Sequence, residues 1–183
     1  MKLQIDMLAP AFEKPDVNGK LHTPRPAQGN LLLLSFLRNA ACALCNLRVH
    51  ELIERYPEFR QRGLEILAIF ESPEENIVQH VLRQNVPFPI IADPKGQLYD
   101  LYGVETSEEK VKATFGAEWQ NSLVTRAAEI GYQLTPEEGS NFYRLPADFL
   151  IGSDGHIAAA YYSDAVGRHL AFEKIEDLLP VVS

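Results

Sequence analysis

The sequence predicts an α/β fold, a central sheet covered by helices on both faces, and three observations carry that reading. Leu31–Leu37 is an apolar run of strand length, too short for a self-burying helix and typical of a central strand buried on both sides. After it, Leu47, Leu52, Ile53 and Tyr56 recur at helical spacing among Arg48, Glu51, Glu54 and Arg55, and beyond Gly63 a second apolar strand, Leu64–Phe70, follows. This is a βαβ unit, whose crossover is expected to be right-handed. The only two cysteines, Cys42 and Cys45, sit where the first strand turns into the helix. Two cysteines scattered at random would take that spacing in roughly one case in a hundred.

The elements follow in order. Residues 1–30 carry Pro10, Pro15, Pro24 and Pro26, with Asn18-Gly19 as a hairpin turn, and read as a surface arm without chemistry. The first helix starts near Cys42 and meets Pro57, where a missing donor and a ring clash kink or end it. Ser72-Pro73-Glu74-Glu75 has the pattern of a serine-capped helix running to about Asn85. Pro87 and Pro89 bracket a short strand, Phe88–Ala92, and Gln97–Tyr102 is a short helix closed by Gly103. Glu118–Tyr132 is expected to be helical, and Thr135-Pro136-Glu137-Glu138 to open another helical turn. Leu145–Ile151 enters the fourth sheet strand, Asp154-Gly155 turns the chain, and His156–Tyr162 returns. In the tail, Ala165–Pro180, Phe172, Ile175, Leu178 and Leu179 stand at the spacing of a final amphipathic helix.

The chemistry rests on the cysteines. At a strand-to-helix turn, unpaired N–H groups and the helix dipole favour a thiolate. A first-turn Cys42 with an exposed thiol face is activated, and Cys45, one turn deeper, can resolve a mixed disulfide. Arg38, four residues earlier, adds positive charge. Two inert core thiols are a competing reading, as is half a zinc site. The latter lacks further cysteines and any H-x(3–5)-H pair, so no metal is expected.

A chain of 183 residues, 46% hydrophobic, suits one domain with a substantial core. A net charge of −8 and a pI near 5.1 argue against nucleic acid or an anionic membrane as partner. The amino-terminal stretch lacks the long apolar core of a signal peptide, and the expected setting is soluble and cytoplasmic. A catalytic dithiol cycles in such a reducing compartment.

The segment F-x-R-x-x-x-C-x-x-C-N-L, Phe36 through Leu47, resembles the active-site segment of peroxiredoxin-like proteins of the alkyl hydroperoxide reductase and thiol-specific antioxidant (AhpC/TSA) family. Ala9–Phe12 and Val17–Lys20 are similar to the family's entry hairpin, and Asp93 through Val104 to a packing segment of its domain. Ala41 and Ala43 depart from the family's usual Trp and Pro. The resemblance implies a thioredoxin-like fold over residues 1–183, with an amino-terminal hairpin and a helical insertion at about 105–145, before the fourth sheet strand. Such an insertion shields an active site, supports a homodimer, or serves packing alone. Pro146 matches the place of a cis proline that packs against the dithiol and offers backbone hydrogen bonds to a docked peptide or glutathione.

For function, the resemblance and the residues together imply thiol–disulfide exchange without a cofactor. Cys42 attacks, Cys45 resolves, and Arg38 and Asn39 stabilise the thiolate. The partners implied are a small-molecule or protein thiol or disulfide, or a peroxide, with an external dithiol as reductant. A thiol-dependent peroxidase is the alternative. That family's P-x-x-x-[TS]-x-x-C loop and later arginine are replaced here by Ser35, Asn39 and Pro146. A noncatalytic thioredoxin-fold binding module is a third reading. His169 and His50 carry no spacing argument that places them at the dithiol.

Overall fold

The computed structural model describes residues 1–180. A five-stranded sheet lies at its centre, in the order β5 (Ile90–Ala92), β4 (Leu64–Phe70), β3 (Leu31–Phe36), β6 (Ala147–Gly152), β7 (Ile157–Tyr162). β3 runs parallel to β4 and β4 to β5, whereas β6 lies antiparallel to β3 and to β7. A separate hairpin of β1 (Lys14–Pro15) and β2 (Leu21–His22) turns through Asn18-Gly19, as the sequence suggests. It covers the edge of the sheet at β5, where the Val17 N–H donates to the Ile90 carbonyl. The fold is thioredoxin-like α/β: a mixed sheet with helices on both faces.

Alternation along the strands explains the two layers of core. Leu33, Ile66, Ala68, Phe70 and Leu150 face one side, where α1 (Ala43–Gln61) packs. Leu32, Leu34, Phe36, Leu67, Ile69 and Phe149 face the other, under Tyr99 of α3 (Gln97–Leu101) and Tyr102. Both faces of a central parallel strand must be apolar, which is why β3 reads as a run rather than an alternation. The Tyr99 hydroxyl donates to the carbonyls of Leu37 and Ile69, satisfying a polar tip in a buried layer.

Several boundaries differ from expectation. Pro57 lies inside α1. The helix continues because Phe59, fully buried against Phe172, holds its last turn in the core. Ser72 does not cap α2 (Glu74–His80), whose first carbonyl bond is made by Pro73; the helix stops at His80, and Leu82–Gln84 form a 3₁₀ turn closed by Asn85 in the left-handed region. The insertion holds α4 (Glu108–Thr114) and α5 (Glu118–Glu129), but Thr135–Glu138 is not helical. In the tail only α6 (Phe172–Glu176) is helical. The preceding segment turns at Gly167, whose φ of +88° and tight approach to Leu44 exclude a helix.

Pro146 is the clearest correction: among the described residues no peptide bond is cis. The Leu145 N–H donates to the Glu105 carbonyl and the Ser163 N–H to the Pro146 carbonyl, so the proline runs in extended trans geometry straight into β6. Trans is favoured by about 0.5–1 kcal/mol even before proline, and nothing in this ladder opposes it. No helix among the described residues is long and apolar enough to cross a membrane.

Candidate active site

β3 is the middle strand, and the loop leaving its carboxyl end delivers Cys42 and Cys45 to the sheet's ligand-facing rim. Cys42 is the residue that caps α1. Its backbone is extended (φ −65°, ψ 116°) and its Sγ accepts the Cys45 N–H at 3.4 Å. A sulfur thus stands where serine or aspartate ordinarily satisfies the first free donors of a helix, and the dipole of nineteen residues favours its anion. Cys45, in the first turn, accepts the Arg38 N–H at 3.4 Å through its own Sγ.

The two thiols differ in acidity. Cys42 is pulled from 9.0 down to about 6, first by the hydrogen bond from the Cys45 thiol. Burial opposes this, while the Arg38 charge and the N–H groups of Cys45 and Leu44 assist. Burial, together with the neighbouring Cys42 sulfur, pushes Cys45 well above its ordinary value. At neutral pH the first is a thiolate and the second a thiol.

Arg38 is fixed by the insertion's end. Its Nε donates to the Arg144 carbonyl at 2.8 Å, Nη2 donates to the Phe142 carbonyl, and Nη1 stands 3.7 Å from Cys42 Sγ. Asn39 joins the same wall, and its carbonyl accepts the Cys42 N–H at 3.2 Å. Its carboxamide does not touch the sulfur; Oδ1 is buried with no hydrogen-bond partner. Of these two side chains, Arg38 is the one that lies against the sulfur. Pro146 is buried, does not line the cavity at Cys42, and has its carbonyl engaged by Ser163.

Three residues with no role assigned from sequence hold the loop. Asn46, fully buried, donates through Nδ2 to the carbonyls of Ala40 at 2.7 Å and Cys42 at 3.1 Å. Ser72 Oγ accepts the Ala40 N–H at 2.8 Å and donates to Glu137 Oε1 at 2.7 Å. The other carboxylate oxygen of Glu137 accepts the Ala41 N–H at 3.1 Å. Asn46 stands inside the C-x-x-C-N-L motif and was open to notice. Ser72 and Glu137 carry local helix-start patterns that conceal their long-range work.

The insertion closes over the site. A cavity of about 490 Å³ lies against Cys42, walled by Arg38, Asn39 and Leu44 on one side and by Phe115, Gln120, Val124, Leu134 and Phe142 on the other. Cys42 is 8% exposed, so its thiol opens into this cavity rather than to bulk water, contrary to the expected exposed thiol face. α5 is seated on α1 through Ala127 and Leu123 in the core and the Arg126–Glu51 ion pair at 2.7 Å.

The histidines stand elsewhere. His169 pairs through Nδ1 with Asp148 Oδ2 at 3.0 Å, and His50 lies 3.7 Å from Glu54 on a helix flank. Asp148 also accepts from the Ser35 hydroxyl, its cross-strand neighbour, at 2.6 Å and from the Leu170 N–H at 2.8 Å. Burial alone would raise its pKa, but His169, Arg48 and Ser35 hold it at about 2.

Comparison with known proteins agrees with this geometry. Residues 5–160 match the model of the AhpC/TSA family. The thiol-disulfide oxidoreductase ResA of Bacillus thuringiensis subsp. konkukian is 28% identical over 104 residues, 56% of this chain and 60% of that protein. Peroxiredoxin 2 of Sulfurisphaera tokodaii is 27% identical over 117 residues, 58% of this chain and 54% of that protein. The chain thus spans little more than half the length of these relatives. Among solved structures, peroxidoxin BcpB from Mycobacterium tuberculosis superposes with a TM-score of 0.63 over 88% of this chain and 87% of that one, at 15% identity, which speaks to the fold. With a matching family model over most of its length and a helix-capping C-x-x-C pair on a thioredoxin-like fold, the chain belongs to the AhpC/TSA family.

Proposed function

We propose that the protein is a dithiol oxidoreductase that exchanges disulfides through Cys42 and Cys45. The observation that supports this most is the inequality of the two thiols: one helix-capping thiolate facing a cavity, one buried thiol directly behind it. The Cys42 thiolate attacks one sulfur of a substrate disulfide; a Cys42–substrate disulfide forms, and the other substrate sulfur leaves as a thiolate and takes up a proton. Cys45 then loses its proton and attacks Cys42 Sγ. The 42–45 disulfide forms and the second substrate thiol is released. Reduction by an external dithiol returns the protein to its starting state. A cytoplasmic setting belongs to this reading.

A thiol peroxidase is the second reading, favoured by the Arg38 guanidinium beside Cys42 Sγ. Against it, Arg144, the arginine nearest the start of β6, is engaged bidentately by Glu71 at 2.8 Å and does not reach the sulfur. Stopped-flow oxidation of the reduced protein separates the two, with Cys42→Ser as control. Rapid, Cys42-dependent reaction with a disulfide and slow reaction with hydrogen peroxide is the expected result. The reverse order makes the protein a peroxidase.

A further inference from the structure

The ladder between β3 and β4 slips where the chain leaves it for the dithiol loop. The Leu37 N–H donates to the Ile69 carbonyl at 2.9 Å, and in an even parallel ladder the Glu71 N–H would return to the Leu37 carbonyl. It donates instead to the Arg38 carbonyl, one residue further on, at 2.9 Å. Among the described residues, neither polar group of the Leu37–Arg38 peptide then bonds to a neighbouring strand. Its carbonyl accepts the hydroxyl of Tyr99, which stands on α3 in the core layer on the other face of the sheet from α1. Its N–H donates to Cys45 Sγ at 3.4 Å. The Ile69 carbonyl, 3.0 Å from the same hydroxyl, already holds the Leu37 N–H, which leaves the Tyr99 proton to Leu37. A continuous chain results, from the Tyr99 hydroxyl through one peptide to the Cys45 sulfur, and each bond in such a chain polarises the next.

Both ends of the chain suit it to one moment of the reaction. Tyr99 is fully buried, and burial pushes its hydroxyl well above its ordinary value, so it stays a donor wherever the thiols ionise. The Arg144 guanidinium lies 4.8 Å from the centre of its ring, and that charge opposes the rise and strengthens the hydroxyl as a donor. At the other end, burial, the hydrogen bond to the Cys42 sulfur and its charge hold Cys45 up, while the Arg38 charge and N–H pull it down. Once Cys42 is tied up in a mixed disulfide its negative charge is gone. The Arg38 N–H remains aimed at the sulfur that must ionise next.

We infer that Tyr99 is a positioning residue for the resolving step, holding the Leu37–Arg38 peptide so that its N–H stays on Cys45 Sγ. This rests on the exchange reading. In that step Cys45 loses its proton, the Cys42–substrate bond breaks as the 42–45 bond forms, and the departing sulfur takes up a proton. Tyr99 bonds to none of the reacting sulfurs and acts through the peptide alone. The earlier attack by Cys42 does not depend on it.

Stopped-flow reaction of the reduced protein with one equivalent of a nitrothiobenzoate disulfide reads the two steps separately, because one coloured thiolate leaves on attack and a second on closure. Tyr99→Phe is expected to leave the first phase as it is and to move the pH midpoint of the second upward by about 1 unit. At neutral pH closure then slows about 3-fold, since the greater nucleophilicity of the more basic thiolate recovers about half of the tenfold loss on a logarithmic scale. Tyr99→fluorotyrosine keeps the buried hydroxyl and makes it a stronger donor, and is expected to move the midpoint downward. A closure midpoint that stays in place in both variants, whether or not closure slows, reduces Tyr99 to packing, overturns the inference and leaves the exchange reading standing. Release of one thiolate and never a second by the unaltered protein removes the exchange reading itself, and this inference with it.

Discussion

Nη1 of Arg38 lies 3.7 Å from Sγ of Cys42, and the same guanidinium reaches back to the carbonyls of Phe142 and Arg144 at the end of the insertion. One side chain therefore links the acidity of the nucleophile to the seating of the segment that encloses it. Cys42 is half ionised near pH 6, so its alkylation by iodoacetamide is expected to rise through that pH and to level off above neutrality. Arg38→Gln should move the midpoint upward by about 1 unit, the scale of one lost nearby charge. Cys45→Ala should move it further, because the Cys45 thiol makes the larger contribution. The midpoints, read from the pH profile of thiolate absorbance, check the order.

Glu137 ties the insertion to the active-site loop through Ala41 and Ser72. Glu137→Ala is expected to cost about 1–2 kcal/mol, as two partly exposed bonds to a carboxylate are lost. Hydrogen exchange at residues 133–142 should quicken, while the interior of β3 stays protected. Quickening spread evenly over the molecule would contradict the latch.

Much of this was legible in the chain, and the reasons are physical. β3 and β4 announce themselves because a strand buried on both faces needs an apolar residue at nearly every position. The dithiol announces itself because only a strand-to-helix turn gives both cysteines their places. Glu137 and Ser72 could not be read: each meets partners at least 32 residues away along the chain. Each also stands in a stretch that resembles a helix start, and local pattern then loses to a long-range bond. Asn39 was assigned from its place in the active-site loop motif, where a threonine is usual, yet its buried Oδ1 has no hydrogen-bond partner. Pro146 was placed by resemblance, and the ladder around it keeps the chain trans.

Asn46 holds the loop from beneath, donating to Ala40 and Cys42 while its Oδ1 accepts from Gln84 at 3.1 Å. Asn46→Leu matches its size but leaves the buried Ala40 carbonyl without its donor and strips the second bond from the Cys42 carbonyl, which keeps the Asn46 backbone N–H at 3.0 Å. A loss of about 1–3 kcal/mol is expected from urea unfolding. Closure of the 42–45 disulfide should slow as well. A stability change within about 0.5 kcal/mol, the ordinary range of a surface substitution, would contradict this role.

Asp148 contributes a pH dependence of the same sign as that of Cys42, in a more acid window. Its carboxyl is held at about 2 against an ordinary 3.8, so its contribution is complete above about pH 4 and is lost as pH falls toward 2. That contribution is about 2 kcal/mol. Asp148→Asn is expected to be less stable at neutral pH and to show a shallower decline in acid. Parallel declines in the two proteins, followed by thermal unfolding across that window, would show that the Ser35–Asp148–His169 cluster is not the source.

The central claim, that Cys42 attacks and Cys45 resolves, is tested most directly by mass spectrometry of Cys45→Ser after brief exposure to a peptide disulfide. The expected result is one stable peptide adduct, mapped to Cys42, while the unaltered protein under the same conditions carries no adduct and has lost two hydrogens to the 42–45 disulfide. An adduct forming as fast on Cys45 in Cys42→Ser, or none on Cys42, would contradict it.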